Sequence, residues 1–239
     1  MKHQLEFQYP HQLKTILSQT PWVYIPVGAI EWHGHHNVVG LDGVKAHGQL
    51  LRVADAVGGV VYPPIYTGHY TGDRKAPFTY MVSQSSLYQL LKDVLCGLEK
   101  DGFQKAVLLN GHYPNHIFIG YELMREWKNE NHSMELLSIR ESNFERISGD
   151  HAGKDETSMM LDLNPECVDL GMIQTDDENA ALEEKGNWLE EDDSHPLRGV
   201  VGVNPRSSTS EYGSALNKRL VNAISGWIKN GEIALEYEK

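Results

Sequence analysis

Residues 22–42 read WVYIPVGAIEWHGHHNVVGLD, and the character of the chain turns over just after Ala29. Trp22 to Ala29 is a short apolar, β-branched run, which predicts a buried strand. From Glu31 onward the chain carries an acid, three histidines and Gly34, a residue that lets the backbone turn sharply. The pattern recurs further on. Ala106 to Leu109 is again apolar, and Asn110-Gly111-His112 follows at once.

Between and beyond these runs the pattern alternates. Val44 to Val57 reads as a helix stopped by Gly58-Gly59. Val60 to Ile65 reads as a second strand, followed by a polar loop from Tyr66 to about Ser83. Leu87, Leu90, Leu91, Val94, Leu95 and Leu98 make one apolar face at helical period, with Gly102 as its stop. A helix from about Asn115 to Asn129 carries Ile117, Tyr121 and Met124 on one face. Met134 to Ile139 reads as a strand, HAGKDETSMML starts a short helix, and Leu216, Leu220, Ile224, Trp227 and Ile228 form a stripe expected to pack on the core. Strands alternating with helices predict a single α/β domain over residues 1–239, with a mostly parallel central sheet flanked by helices on both faces. In such a fold ligands lie beyond the carboxyl ends of the strands. EWHGHH and NGH both fall there.

A chain of 239 residues with 40% hydrophobic content can bury one large core without a second domain. Its net charge of −12 offers no basic face to phosphates, so nucleic acid is set aside as a partner. No run approaches the roughly eighteen apolar residues of a membrane span, and no secretory pattern opens the chain. Cys96 and Cys167 form no CxxC and read as reduced thiols, consistent with a cytoplasmic setting. Asp176 to Asp193 holds nine acids against one lysine, and reads as a solvated surface loop rather than a lid.

Glu31 and His33 are two apart, so in extended backbone they point the same way. Asp42 returns nine residues after His33. Carboxylate and imidazole so spaced can share a divalent ion, and an aspartate can bridge two ions. They can equally be a hydrogen-bonded pair at a loop mouth. His112 is placed to complete the same site from another strand, or to sit satisfied at a helix start. In HAGKDETS, Glu156 is either a further metal ligand or, like Asp155, an ordinary acid favoured at a helix N-terminus. His151 is a candidate general acid or base, since an imidazole suits proton transfer at neutral pH. Tyr113, His36 and His69 are candidates to meet substrate, each with a structural reading beside it.

These motifs together resemble the creatininase family. The segment PVGAIEWHGHHNVVGLD, ending at Asp42, is similar to the family's E-x-H-G-x-H motif and following Asp. NGHYPN matches N-G-H-x-x-N, HAGKDETS resembles H-A-G-E-x-E-T-S, and GVVGVNPRSSTSEYG, residues 199–213, resembles the late G-V-x-G-x-P…E-x-G stretch. The resemblance implies a dinuclear centre of zinc, manganese or iron. Glu31 and His112 would hold one ion, His33 and a further carboxylate the other, and Asp42 would bridge. Creatininase takes that carboxylate from a Glu two residues after the motif histidine. Pro114 stands there in this chain, so Glu156 is expected to supply it. Lys154 and the stretch APFTY, residues 76–80, also depart from the family pattern and are expected to alter the substrate pocket.

The implied activity is hydrolysis of a C–N bond in a small cyclic amide, with His151 handing a proton to the leaving nitrogen. Relatives that open cyclic ketones or deformylate formamides keep the site and change the bond. A non-catalytic metal-binding protein is the third reading. The resemblance also implies a homo-oligomer, a hexamer.

Overall fold

The computed structural model describes residues 2–70, 76–174, 184–233 and 235. Its centre is a parallel sheet in the order β2-β1-β4-β5, with β3 also on β1. The strands are β1 (Trp22–Gly28), β2 (Val60–Val61), β3 (Ile65–Tyr66), β4 (Lys105–Asn110) and β5 (Glu135–Arg140). β1 lies in the middle and pairs in register with β4 from Trp22↔Lys105 to Val27↔Asn110. Its buried residues explain why it reads as continuously apolar.

Helices cover both faces. On one side α2 (Leu41–Val57), α5 (Lys154–Leu163) and α6 (Ser210–Asn230) enclose a core with Leu50, Val53, Met159, Leu220 and Ile224. On the other, α3 (Gln84–Asp101) and α4 (Tyr121–Asn129) pack Leu91, Leu95, Leu123 and Trp127 against the sheet, and α1 (Pro10–Gln19) adds Leu13 and Ile16. The α6 stripe is buried in the core, as its spacing predicts. Gly102 ends α3 at φ 104°, the left-handed conformation glycine adopts without strain. β6 (Lys185–Asn187) and β7 (Val201–Val203) form a small antiparallel ribbon.

Three sequence expectations change. The strand expected over Val60 to Ile65 is two short strands, because Pro63 and Pro64 between them donate no hydrogen bond. α2 begins at Leu41 rather than Val44, so Asp42 stands in its first turn and not in a loop. Helical backbone starts at Tyr113, and a π-helical stretch His116–Gly120 then shifts its phase. Ile119, Leu123 and Trp127 therefore face the core, while Ile117 and Tyr121 are exposed.

Candidate metal centre

Chain ends from neighbouring strands converge on one buried cluster. Glu31 and His33 follow β1, His112 follows β4, and Glu141 follows β5. Close approach at two glycines brings α2 to meet them. A Cβ on Gly28 would lie 2.2 Å from the Gly43 nitrogen, and one on Gly111 would lie 2.2 Å from the Asp42 carbonyl oxygen. Without side chains there, the first turn of α2 sits directly on the ends of β1 and β4. Asp42 is thereby held between Glu31 and His33 on one strand and His112 on the other.

The distances divide Asp42 between two donor groups. Its Oδ1 lies 3.0 Å from His33 Nε2, and its Oδ2 lies 3.3 Å from His112 Nδ1. His112 Nδ1 is also 2.8 Å from Glu31 Oε2. Glu156 Oε2 approaches His33 Nε2 at 4.0 Å. Glu31, Asp42 and His112 thus form one group able to hold an ion, and His33, Asp42 and Glu156 form another. All five side chains are buried. No residue of the Tyr113-Pro114 turn belongs to either group, and Glu156 stands beside His33 and Asp42.

The far side of each histidine is engaged as well. His33 Nδ1 donates to the Glu31 carbonyl at 2.9 Å, and His112 Nε2 donates to the His69 carbonyl at 3.2 Å. A neutral imidazole has one donor and one acceptor nitrogen, so the nitrogen left over presents a lone pair to carboxylate oxygens. That arrangement calls for a proton or a cation between them. The electrostatics agree. Burial works to raise the Asp42 carboxyl, but His33 and His112 outweigh it and hold it well below its ordinary value. Burial works to lower the His33 pKa, but Asp42 and Glu156 outweigh it and raise it. Buried acids gathered around imidazoles whose other nitrogens are tied to carbonyls fit a divalent cation.

The third motif contributes by an unusual turn. Ala152 has φ 53°, the left-handed region that alanine seldom enters. The turn directs the Ala152 N–H to Glu156 Oε2 at 2.8 Å. Asp150 accepts from the backbone nitrogens of Asp155 and Glu156, so the cap of α5 comes from Asp150. Glu156 is left for another partner: its Oε1 lies 2.7 Å from Lys45 Nζ, and Glu141 Oε2 lies 2.8 Å from the same nitrogen. Asp155 instead accepts from Ser148 and Tyr212.

His151 Nε2 sits 3.0 Å from the Trp32 carbonyl and 4.0 Å from Glu31 Oε1, with its ring 4.5 Å from that of His33. It borders two cavities. One, of about 250 Å³, is lined by Asp42, His112, Tyr113, Asp150 and Glu156. The other, of about 210 Å³, is lined by Glu31, Trp32, Tyr70, Glu191 and Arg198. Of the residues expected to meet substrate, Tyr113 lines the first cavity, and burial raises its phenol well above the ordinary value. His36 is packed behind the site, donating from Nε2 to the Ala152 carbonyl at 3.1 Å, and burial lowers its pKa to about 3. His69 meets the cluster with its backbone, its carbonyl accepting from His112 and its N–H donating to Asn115 Oδ1 at 2.8 Å, while its side-chain Nδ1 donates to the Val82 carbonyl at 3.0 Å.

Of the two outlying departures, Ala76 lines the second cavity. Lys154 does not reach the site. It opens α5 on the outside with Nζ over the Tyr212 ring. Part of the acidic segment, residues 176–183, lies outside the described residues. The rest is not simply a solvated loop, since Glu190 and Glu191, though exposed, line the second cavity. Sequence reasoning missed Lys45, Glu141, Asp150 and Arg198. Lys45 alone carried a signal, a charged residue on the inner side of an amphipathic helix one turn after Asp42.

A parallel α/β sheet bearing this carboxylate–imidazole cluster on its strand ends defines a class, proteins whose strand ends can gather divalent ions. The chain belongs to the creatininase family, whose model, described as creatinine amidohydrolase, matches residues 8–228. It is 30% identical over 173 residues to creatinine amidohydrolase of Pseudomonas putida, covering 62% of this chain and 66% of that one. It is 33% identical over 105 residues to 3-dehydro-scyllo-inosose hydrolase of Thermotoga maritima, covering 42% of this chain and 33% of the relative. The match thus spans just under two thirds of the first and one third of the second. In structure, the chain aligns with a crystal structure of creatinine amidohydrolase at TM-score 0.79 and 22% identity, covering 97% of this chain and 98% of the other. Creatininase structures described as the manganese form and as the Zn–Zn type of a glutamate-to-glutamine mutant both align at TM-score 0.75 and 22% identity, covering 95% of this chain.

Proposed function

We propose that this chain is a dinuclear metal-dependent amidohydrolase that cleaves a C–N bond in a small cyclic amide or a related molecule. The observation that carries the proposal is the division of Asp42, one oxygen toward His33 and the other toward His112. A carboxylate so divided is what a bridge between two ions requires. Glu31 and His112 complete one position, and His33 and Glu156 the other. The mixed nitrogen and oxygen donors suit zinc or manganese, and also iron. When bound, such ions supply an acidified water and polarise a carbonyl. The chain itself does the rest. Strand ends and the α2 N-terminus fix the donors, two backbone carbonyls set the imidazole tautomers, and His151 between the cavities moves the proton to the leaving nitrogen.

A second reading keeps the residues and changes the bond to one beside a ring ketone. The similarity to the inosose hydrolase favours it, as does Pro114 in place of the creatininase ligand. A homo-oligomer, hexameric in the family pattern, and a cytoplasmic setting complete the proposal, the latter supported by the free thiols of Cys96 and Cys167. The test is elemental analysis after zinc or manganese repletion, followed by a panel of cyclic amides, formamides and hydroxylated cyclic ketones. Two ions per chain and amide turnover are expected. Ketone-ring turnover with inert amides moves the chain to the second reading, and fewer than one ion per chain overturns both.

A further inference from the structure

Lys45 is fully buried at the edge of the metal centre. It stands three residues after Asp42 on α2, so one helical turn presents both side chains to the same region. Its Nζ contacts Glu156 Oε1 at 2.7 Å and Glu141 Oε2 at 2.8 Å, and lies 5.5 Å from the centre of the Tyr113 ring. Glu156 is therefore held at both oxygens, by Lys45 at Oε1 and by the Ala152 N–H at Oε2. Only Oε2 faces His33. A carboxylate on α5 has several rotamers open to it, and this pair of contacts selects one. Glu141, on the far side of the ammonium, gives the buried lysine a second counter-charge and fixes it in turn.

Resting on the metal reading above, we infer that Lys45 is a positioning residue for the second ion: anchored by Glu141, it aims a single oxygen of Glu156 at the His33–Asp42 position. Asp42 reaches that position directly from α2, and Glu156 reaches it under control of the same helical turn. The role has particular weight in this chain, because Pro114 stands where creatininase carries its carboxylate and cannot ligate.

Partners of this kind typically change metal affinity by about 10–100-fold when lost. The test is calorimetric titration of the metal-free protein with Zn²⁺ and separately with Co²⁺, whose visible spectrum reports the donor set. Lys45→Met leaves Glu141 buried without its cation, so Lys45→Met/Glu141→Leu is measured beside it to keep a foldable comparison. Arg52→Met, which breaks an ion pair to Asp162 between the same two helices and outside the site, is the control. Wild type is expected to take two ions. The Lys45→Met/Glu141→Leu variant is expected to keep the first ion and bind the second about 10–100-fold more weakly, with an altered Co²⁺ spectrum. Arg52→Met is expected to keep both. Wild-type affinity for both ions in the double variant overturns the inference, as does equal weakening of the two. Absence of any tight ion in wild type refutes the metal reading instead.

Discussion

At Asp42 and His151 single side chains carry separable duties. Asp42 is buried, divided between two imidazoles and placed by backbone contacts that two glycines permit. His151 lies at the border of two cavities and outside both of the Asp42 donor groups. His151→Ala is accordingly expected to retain full metal content and lose about 10²–10⁴ in kcat/KM, the contribution of a positioned proton-transfer group. Metal analysis alongside kinetics checks it. Parallel loss of metal would make His151 a ligand, and unchanged kinetics would remove it from catalysis. Glu31 and His33 were legible as candidates from their spacing, and His112 from its place after a buried strand. Glu156 could be singled out only through the motif around it. Its neighbours explain why: its helix cap is supplied by Asp150, a contact that forms only once the turn through Ala152 has folded.

Between elements, one carboxylate of α3 gathers several contacts from the turn before β5. Glu99 accepts from Ser133 Oγ at 2.8 Å and from the Met134 nitrogen at 3.1 Å, and its Oε2 lies 2.6 Å from His132 Nδ1. Burial works to raise the Glu99 pKa, but hydrogen bonds from His132, Met134 and Ser133 outweigh it and hold it at about 2, against an ordinary 4.5. A carboxyl lowered on folding contributes stability that is present above its unfolded value and lost as the pH falls through its folded one. Glu99→Gln is therefore expected to be less stable than wild type at neutral pH, with the difference closing between about pH 4.5 and pH 2. The imidazole half has the opposite sense. Burial works to lower the His132 pKa, while Glu99 and Glu130 raise it, so its share is complete below about 6.5 and fades as the pH rises through the folded value. Urea unfolding at a series of pH values measures both, and parallel curves for the two proteins would count against the account. Element boundaries were less legible than their existence. The Pro63-Pro64 break and the π-helical stretch before α4 each shift which residues face inward, and simple periodicity does not register either one.

For the molecule as a whole, ions that bind only the folded centre must raise its stability. At about 100 times the dissociation constant the gain is about 2.7 kcal/mol, or about 5–10 °C in Tm for a chain of this size. Chelation is expected to lower Tm by that order and zinc or manganese to restore it, read by scanning calorimetry. A Tm indifferent to both would contradict a folded-state metal site. The sequence by itself determined the α/β alternation, the buried parallel strands and the appearance of Glu31, His33 and His112 just past strand ends. Each follows from local pattern, since a strand's apolar run and the residues after it are contiguous. Tertiary structure alone decided how Asp42 is shared, why His36 packs behind the site, and that Lys45 links Glu141 to Glu156. The His36 and Lys45 contacts join positions about a hundred residues apart in the chain. In the sequence Lys45 shows only as a charged residue on the inner side of a helix, and the packed sheet alone shows which acids require it.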